Sequence, residues 1–181
     1  MWARVAGGGC NNGGMSHTEH RATSPTSVRC AVLTISDTRT ADTDTGGARL
    51  VAMLEAAGHQ VVGRGLVRDD ESAVQRWISS QRARDEVDAI FTTGGTGVAR
   101  RDTTMEAIAS MFDKPLPGFG ELFRMLSYQE IGAAAMLSRA CAGVTQCRLL
   151  VALPGSENAI RLAMEKLLLP ELGHLVREAR R

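Results

Sequence analysis

Four short apolar runs constrain this chain more than anything else in it: "VRCAVLTI" at 28–35, "HQVVGRGLV" at 59–67, "VDAIFTT" at 87–93 and "CRLLVAL" at 147–153. The first is nearly continuous and rich in β-branched residues, which marks a strand covered on both faces. Between the runs, apolar residues recur at helical spacing. Leu50, Val51, Leu54 and Ala57 form one stripe, with Gly58 where a left-handed C-terminal cap belongs. Val74, Trp77 and Ile78 form a second behind the acidic start "DDES". Met105, Ile108, Ala109 and Phe112 form a third, and Phe119, Leu122, Phe123 and Leu126 a fourth beyond the break "KPLPG". Ile160, Ala163, Met164, Leu167 and Leu168 give the last. Such alternation predicts an α/β fold: a three-layer α/β/α sandwich around a mostly parallel sheet. With 181 residues, 44% of them hydrophobic, the chain can bury one core and is expected to form one domain.

That domain is expected to span 28–181. Residues 1–27, "MWARVAGGGCNNGGMSHTEHRATSPTS", are dense in Gly, Asn, Ser and Thr and lack either periodicity, so they are read as a disordered extension, with Met15 as an alternative start. The formal net charge is +1, and Lys or Arg cluster no further than Arg100-Arg101 and Arg180-Arg181, so neither a nucleic acid nor a membrane surface is an expected partner. The apolar runs fall far short of the roughly 18 residues of a membrane span, and a cytoplasmic location is expected. Cys10, Cys30, Cys141 and Cys147 show no CxxC spacing and read as small hydrophobes or tail thiols; His17, His20, His59 and His174 suggest no metal centre.

Chemistry gathers in the loops. In open α/β sheets ligands sit beyond the carboxyl ends of the strands, which directs attention to the segments after Ile35, Val67, Thr93 and Leu153. "TTGGTGVARRD" follows the third strand. Gly94, Gly95 and Gly97 let backbone N–H groups approach an anion, and Thr93 and Thr96 offer hydroxyls. It is neither a GxxxxGK[ST] loop nor a GxGxxG, because Arg100 stands in the last position of the latter. Asp102 closes the loop beside two arginines, a pattern suited to a divalent cation bridging phosphate oxygens, and Asp69 or its neighbour Asp70 is the candidate second ligand. Each aspartate serves equally well as a helix cap by sequence alone. Gly155 and Ser156 in "LPGSENAI" place a helix N-terminus at the same edge, and Ser36-Asp37 form a turn there.

Taken together, "AVLTISDTR", "DTGG", "IFTTGGTGVARRDTTMEAI", "PLPGFGELFRMLSYQEIGAAAMLSRACAGV" and "LPGS" resemble the MoaB/Mog family of molybdenum cofactor biosynthesis proteins, relatives of gephyrin's molybdopterin-binding domains. The resemblance covers about Val28 to Glu171. It implies a molybdopterin-binding fold, a homotrimer or homohexamer, and adenylylation of molybdopterin with Mg and ATP ahead of a molybdate-inserting enzyme. It places metal-binding and catalytic roles on Asp69 and Asp102. It places substrate contacts on Ser36, Asp37, Thr93, Gly94, Gly95, Thr96, Gly97, Gly155 and Ser156. A non-catalytic molybdopterin carrier is the alternative within the same family. The small residues of "EIGAAAMLSRACAGV" suit close packing, either between subunits or within the core.

Overall fold

The computed structural model describes residues 24–181. The segment 1–27 therefore lies outside the described residues except for Ser24 to Ser27, and so do Met15, Cys10, His17 and His20. The strands are β1 (Arg29–Ile35), β2 (Gln60–Val67), β3 (Ala89–Gly94), β4 (Lys114–Pro115), β5 (Cys141–Thr145) and β6 (Arg148–Leu153). They form one sheet in the order β2-β1-β3-β6-β5-β4. The first four in that order are parallel; β5 runs antiparallel to β6, and β4 antiparallel to β5, at one side.

Alternation along each central strand sends side chains to two separate cores. Val32, Phe91 and Val151 face helices α1 (Thr45–Ala56), α4 (Pro117–Ile131), α5 (Glu157–Ala163) and α6 (Leu169–Ala179). Leu33, Ile90 and Leu150 face α2 (Glu71–Arg82) and α3 (Thr104–Ala109). The continuous apolar character of β1 and β6 thus has a cause, since both of their faces are covered. Leu50 and Leu54, fully buried on α1, each contribute on the order of 1.5–3 kcal/mol through removal from water. Gly58 follows α1 at φ +85, as a left-handed terminator should.

Three local expectations change. Helix α3 ends at Ala109, which is exposed, whereas Ala107 faces the core. Phe112 reaches that core from beyond the helix: the chain turns so that the Asp113 N–H meets the Val144 carbonyl at 2.8 Å and the Phe112 ring lies over Gly143, where a Cβ would come within 2.4 Å of it. Leu122 on α4 lies 47% exposed instead of in the stripe. The segment "EIGAAAMLSRACAGV" supplies the end of α4, a 3-10 turn (Gly132–Leu137) and β5. Ala135, Ala140 and Ala142 are buried within this chain, so core packing accounts for them.

The last helical stripe is continuous but widened. A π-helical turn (Met164–Leu168) joins α5 to α6 just before Pro170. Proline has no N–H for the usual ladder and its ring crowds the preceding turn, and the wider turn relieves both problems. Burial pushes the Cys30 thiol up to about 12, which leaves it an inert core side chain.

Candidate functional site

Strand β1 lies between β2 and β3, and the chain leaves β1 toward α1 on one face of the sheet but leaves β3 toward α3 on the other, which opens a crevice between their carboxyl ends. The crevice is a cleft of about 320 Å³ lined by Ser36, Arg39, Thr93, Gly94, Gly155 and Ser156, with Thr34, Ile35, Asp44 and Gly46 completing it. Its floor is made of glycine. A Cβ on Gly155 would stand 3.4 Å from the Gly94 Cα, and one on Gly46 would stand 3.1 Å from the Gly155 carbonyl. Loops after β1, β3 and β6 therefore meet backbone to backbone. Gly94 takes φ +94 and Gly95 φ +64, conformations in which L side chains are strained. On the far side of Ser156 a second hollow of about 290 Å³ is walled by Ile131, Ala134, Leu137 and Leu162. Ser156 borders both, and its hydroxyl caps α5 by accepting from the Ala159 N–H at 3.3 Å.

Beneath the cleft lies Asp44, only 3% exposed, at the N-cap of α1. Its carboxylate accepts from the Gly47 N–H at 2.9 Å, the Thr34 hydroxyl at 2.8 Å and the Arg64 guanidinium at 3.1 Å. Burial works to raise this carboxyl, but the hydrogen bonds from Gly47, Thr34 and Arg64 outweigh it and hold the group below the usual aspartate range. A depressed folded-state carboxyl contributes stability that is fully present above the ordinary aspartate value, about 3.9, and is lost as pH falls through its lower folded value. We expect Asp44→Asn to be less stable than the parent near neutral pH, with the gap in urea midpoint closing as the pH is taken below about 4. A gap that stayed constant with pH would show that charge on Asp44 contributes nothing. Arg39 sits above this carboxylate, 3.9 Å from it, and reaches Thr45 and the Gly155 carbonyl only at 3.4 and 3.5 Å. It is the guanidinium that faces the cleft.

The two adjacent aspartates divide their work. Asp70 is the N-cap of α2, accepting from the Ala73 N–H at 2.7 Å. Asp69 instead turns toward the glycine loop: the Thr104 hydroxyl donates to its Oδ1 at 2.5 Å, and its own N–H donates to Asp37 Oδ1 at 3.2 Å. A Cβ on Gly95 would meet the Thr104 side chain at 2.8 Å, so Asp69, Thr104 and the loop are in one neighbourhood. Asp102 folds back on its own loop, accepting from the Ala99 N–H at 2.8 Å, with the Arg101 guanidinium 3.8 Å away and largely in solvent. It caps no helix: Thr103 holds the N-cap position of α3.

Of the residues expected at the site, Ser36, Thr93, Gly94, Gly155 and Ser156 line the cleft itself. Asp37, Asp69, Gly95, Thr96, Gly97 and Asp102 lie outside that lining, on the loops that adjoin it. Among the described residues, Asp69 and Asp102 share no hydrogen-bond partner. The Thr93 hydroxyl is buried and donates to the Pro154 carbonyl at 3.0 Å, which ties β3 to the loop after β6. Arg39, Asp44 and Arg139 have no assigned role in the sequence reading. Only Asp44 carries a local signal, an acidic residue three positions before Gly47 at a helix start.

Residues 31–174 match the family described as "Probable molybdopterin binding domain". The chain is 52% identical over 165 residues to molybdenum cofactor biosynthesis protein B of Halalkalibacterium halodurans, covering 91% of this chain and 97% of that one. Among solved structures it is similar to a molybdenum cofactor biosynthesis protein B, with a TM-score of 0.84 and 48% identity over 87% of this chain and 98% of the other. It is also similar to the tungsten cofactor synthesizing protein MoaB from Pyrococcus furiosus, with a TM-score of 0.76 and 35% identity over 87% and 99%.

Proposed function

We propose, from the premise that this chain belongs to the molybdopterin-binding domain family of molybdenum cofactor biosynthesis proteins, that its reaction is the adenylylation of molybdopterin by ATP. The observation that carries this reading is the pair of hollows meeting at Ser156, one floored by glycine backbone and one walled by apolar side chains. Such a pair suits two substrates that each join a flat ring to phosphate. An oxygen of the molybdopterin phosphate attacks the α-phosphorus of ATP. The bond from that phosphorus to the oxygen bridging the β-phosphate breaks, and pyrophosphate leaves with the electron pair. No covalent bond to the protein is required.

What the residues do is hold and offset charge. The backbone at Gly94 and Gly95 approaches phosphate oxygens, the first turn of α5 directs N–H groups toward the cleft, and Arg39 supplies a positive charge. The carboxylates fit a Mg ion that arrives with the nucleotide. Among the described residues no three His, Cys, Asp or Glu side chains gather into a cage, and Mg is commonly held by one or two carboxylates together with substrate phosphates. Asp69 Oδ2 and Asp102 Oδ1, which accept no hydrogen bond from the described residues, would hold it. Bound there, the ion would neutralise some of the phosphate charge. The adenylylated product would pass to a molybdate-inserting enzyme in the cytoplasm; among the described residues no helix is long and apolar enough to cross a membrane.

The test is direct: mix protein, molybdopterin, Mg and ATP labelled at the α-phosphate, and look for label on the pterin. Tight pterin binding without transfer would overturn the reading in favour of a carrier. Self-association belongs to the same proposal. Met125, Tyr128 and Ile131 are 52%, 64% and 49% exposed on α4 beside Leu122, more apolar surface than a lone helix face usually leaves in water. A solution mass of three or six chains is expected, and a monomer would refute it.

A further inference from the structure

Among the described residues, the tip of the glycine loop, Gly97–Asp102, takes one hydrogen bond from a distant part of the chain. Among the described residues, the hydrogen bonds within Gly97–Asp102 are local: Ala99 N–H to Asp102 Oδ2 at 2.8 Å and Asp102 N–H to the Ala99 carbonyl at 2.9 Å. The bond that reaches this tip from the rest of the chain comes from Arg139, whose Nη1 donates to the Gly97 carbonyl at 2.7 Å. Its Nη2 pairs with Glu106 on α3, the helix into which the loop runs. Arg139 stands between the 3-10 turn and β5, next to Ser138, which lines the apolar hollow. One planar guanidinium thus joins the hollow's wall, the loop tip and the following helix. A fork of fixed geometry can meet a carbonyl and a carboxylate together, which an ammonium point charge does less well.

We propose that Arg139 is a positioning residue that latches the loop tip and so fixes where Asp102 presents its carboxylate. Gly97 is the point at which this matters: a Cβ built there would come within 2.2 Å of Asp102 Oδ2, so the carbonyl that Arg139 grips belongs to the residue against which the Asp102 carboxylate rests. The Glu106 side chain is 62% exposed, so that ion pair alone is weak; its role is to orient the guanidinium. The catalytic consequence rests on the adenylylation reading, whereas the latch itself does not.

Hydrogen exchange on the free protein tests the latch without any ligand. In Arg139→Ala the Ala99 and Asp102 amides should exchange about tenfold faster, the scale of one hydrogen bond from a charged donor, while β1 and β3 amides stay unchanged. Arg139→Lys should recover some of that protection, and it keeps the test available if the alanine variant folds poorly. In the α-labelled ATP assay, Arg139→Ala should lower kcat about tenfold and move the molybdopterin KM by no more than about twofold, because the other loops still bind the pterin. Unchanged exchange at Ala99 and Asp102, or acceleration spread evenly over the domain, overturns the latch. A loss confined to KM overturns its link to Asp102. Wild-type protein that transfers no label, yet shows the expected exchange pattern, defeats the adenylylation reading and leaves the latch standing.

Discussion

On the proposed adenylylation, replacing Asp102 with asparagine should lower adenylyl transfer by about 100- to 1,000-fold, the range seen when one preorganised electrostatic contact to a transition state is removed. Molybdopterin binding should change by less than about threefold. The substitution separates charge from shape. Asp102 Oδ2 accepts from the Ala99 N–H, and an asparagine carbonyl oxygen can accept the same bond, so the loop keeps its fold while the negative charge disappears. If that charge helps hold the nucleotide's counter-ion, chemistry suffers and pterin affinity, which depends on the other loops, does not. Steady-state transfer of the α-phosphate label, set beside pterin titration by fluorescence, checks both halves. Turnover within tenfold of the parent would remove Asp102 from the catalytic set.

Gly94→Ala should destabilise the domain by about 2–5 kcal/mol, the sum of backbone strain and a steric displacement. The residue takes φ +94, and the added Cβ would lie 2.1 Å from the Ile35 carbonyl oxygen. Gly94 pairs with Ile35 across β3 and β1, so relief of that overlap must push these strands apart at the mouth of the crevice. Denaturant unfolding should therefore show a lower midpoint, and the surviving folded protein should bind molybdopterin poorly. Gly118, where a Cβ meets nothing within 4 Å, is the control: alanine there should be nearly neutral. A Gly94→Ala protein as stable as the Gly118→Ala protein would show that the close approach is not maintained in solution.

Much of the architecture is legible in the chain. The central strands β1, β3 and β6 read as continuous apolar runs because both of their faces are covered, and the parallel order follows from helices inserted between them. The β5–β6 hairpin is not legible. Its turn residues Gln146 and Cys147 both take positive φ, yet neither is the Gly or Asn that normally advertises such a turn. β4 is two residues long and includes a proline, too little for any alternation to show. Helix α3 is overextended by its spacing because Phe112 continues the stripe in sequence while leaving the helix in space.

The site divides in the same way. Periodicity and glycine content are local properties, set by backbone geometry and by the partition of apolar side chains from water, so the sequence alone determined which loops leave the carboxyl ends of the strands and that those loops carry Ser36, Gly94, Asp102 and Ser156. Tertiary structure alone gives Asp69 and Asp70 different surroundings, since both are acceptors ahead of a helix and only folding brings Thr104, 35 residues away, onto Asp69 while Asp70 caps α2. It also brought Arg64 to Asp44 and Arg139 to Gly97, 20 and 42 residues apart. Such partnerships depend on strand order and on where each loop comes to rest, quantities that belong to the packed whole and leave no periodic trace in the residues that make them.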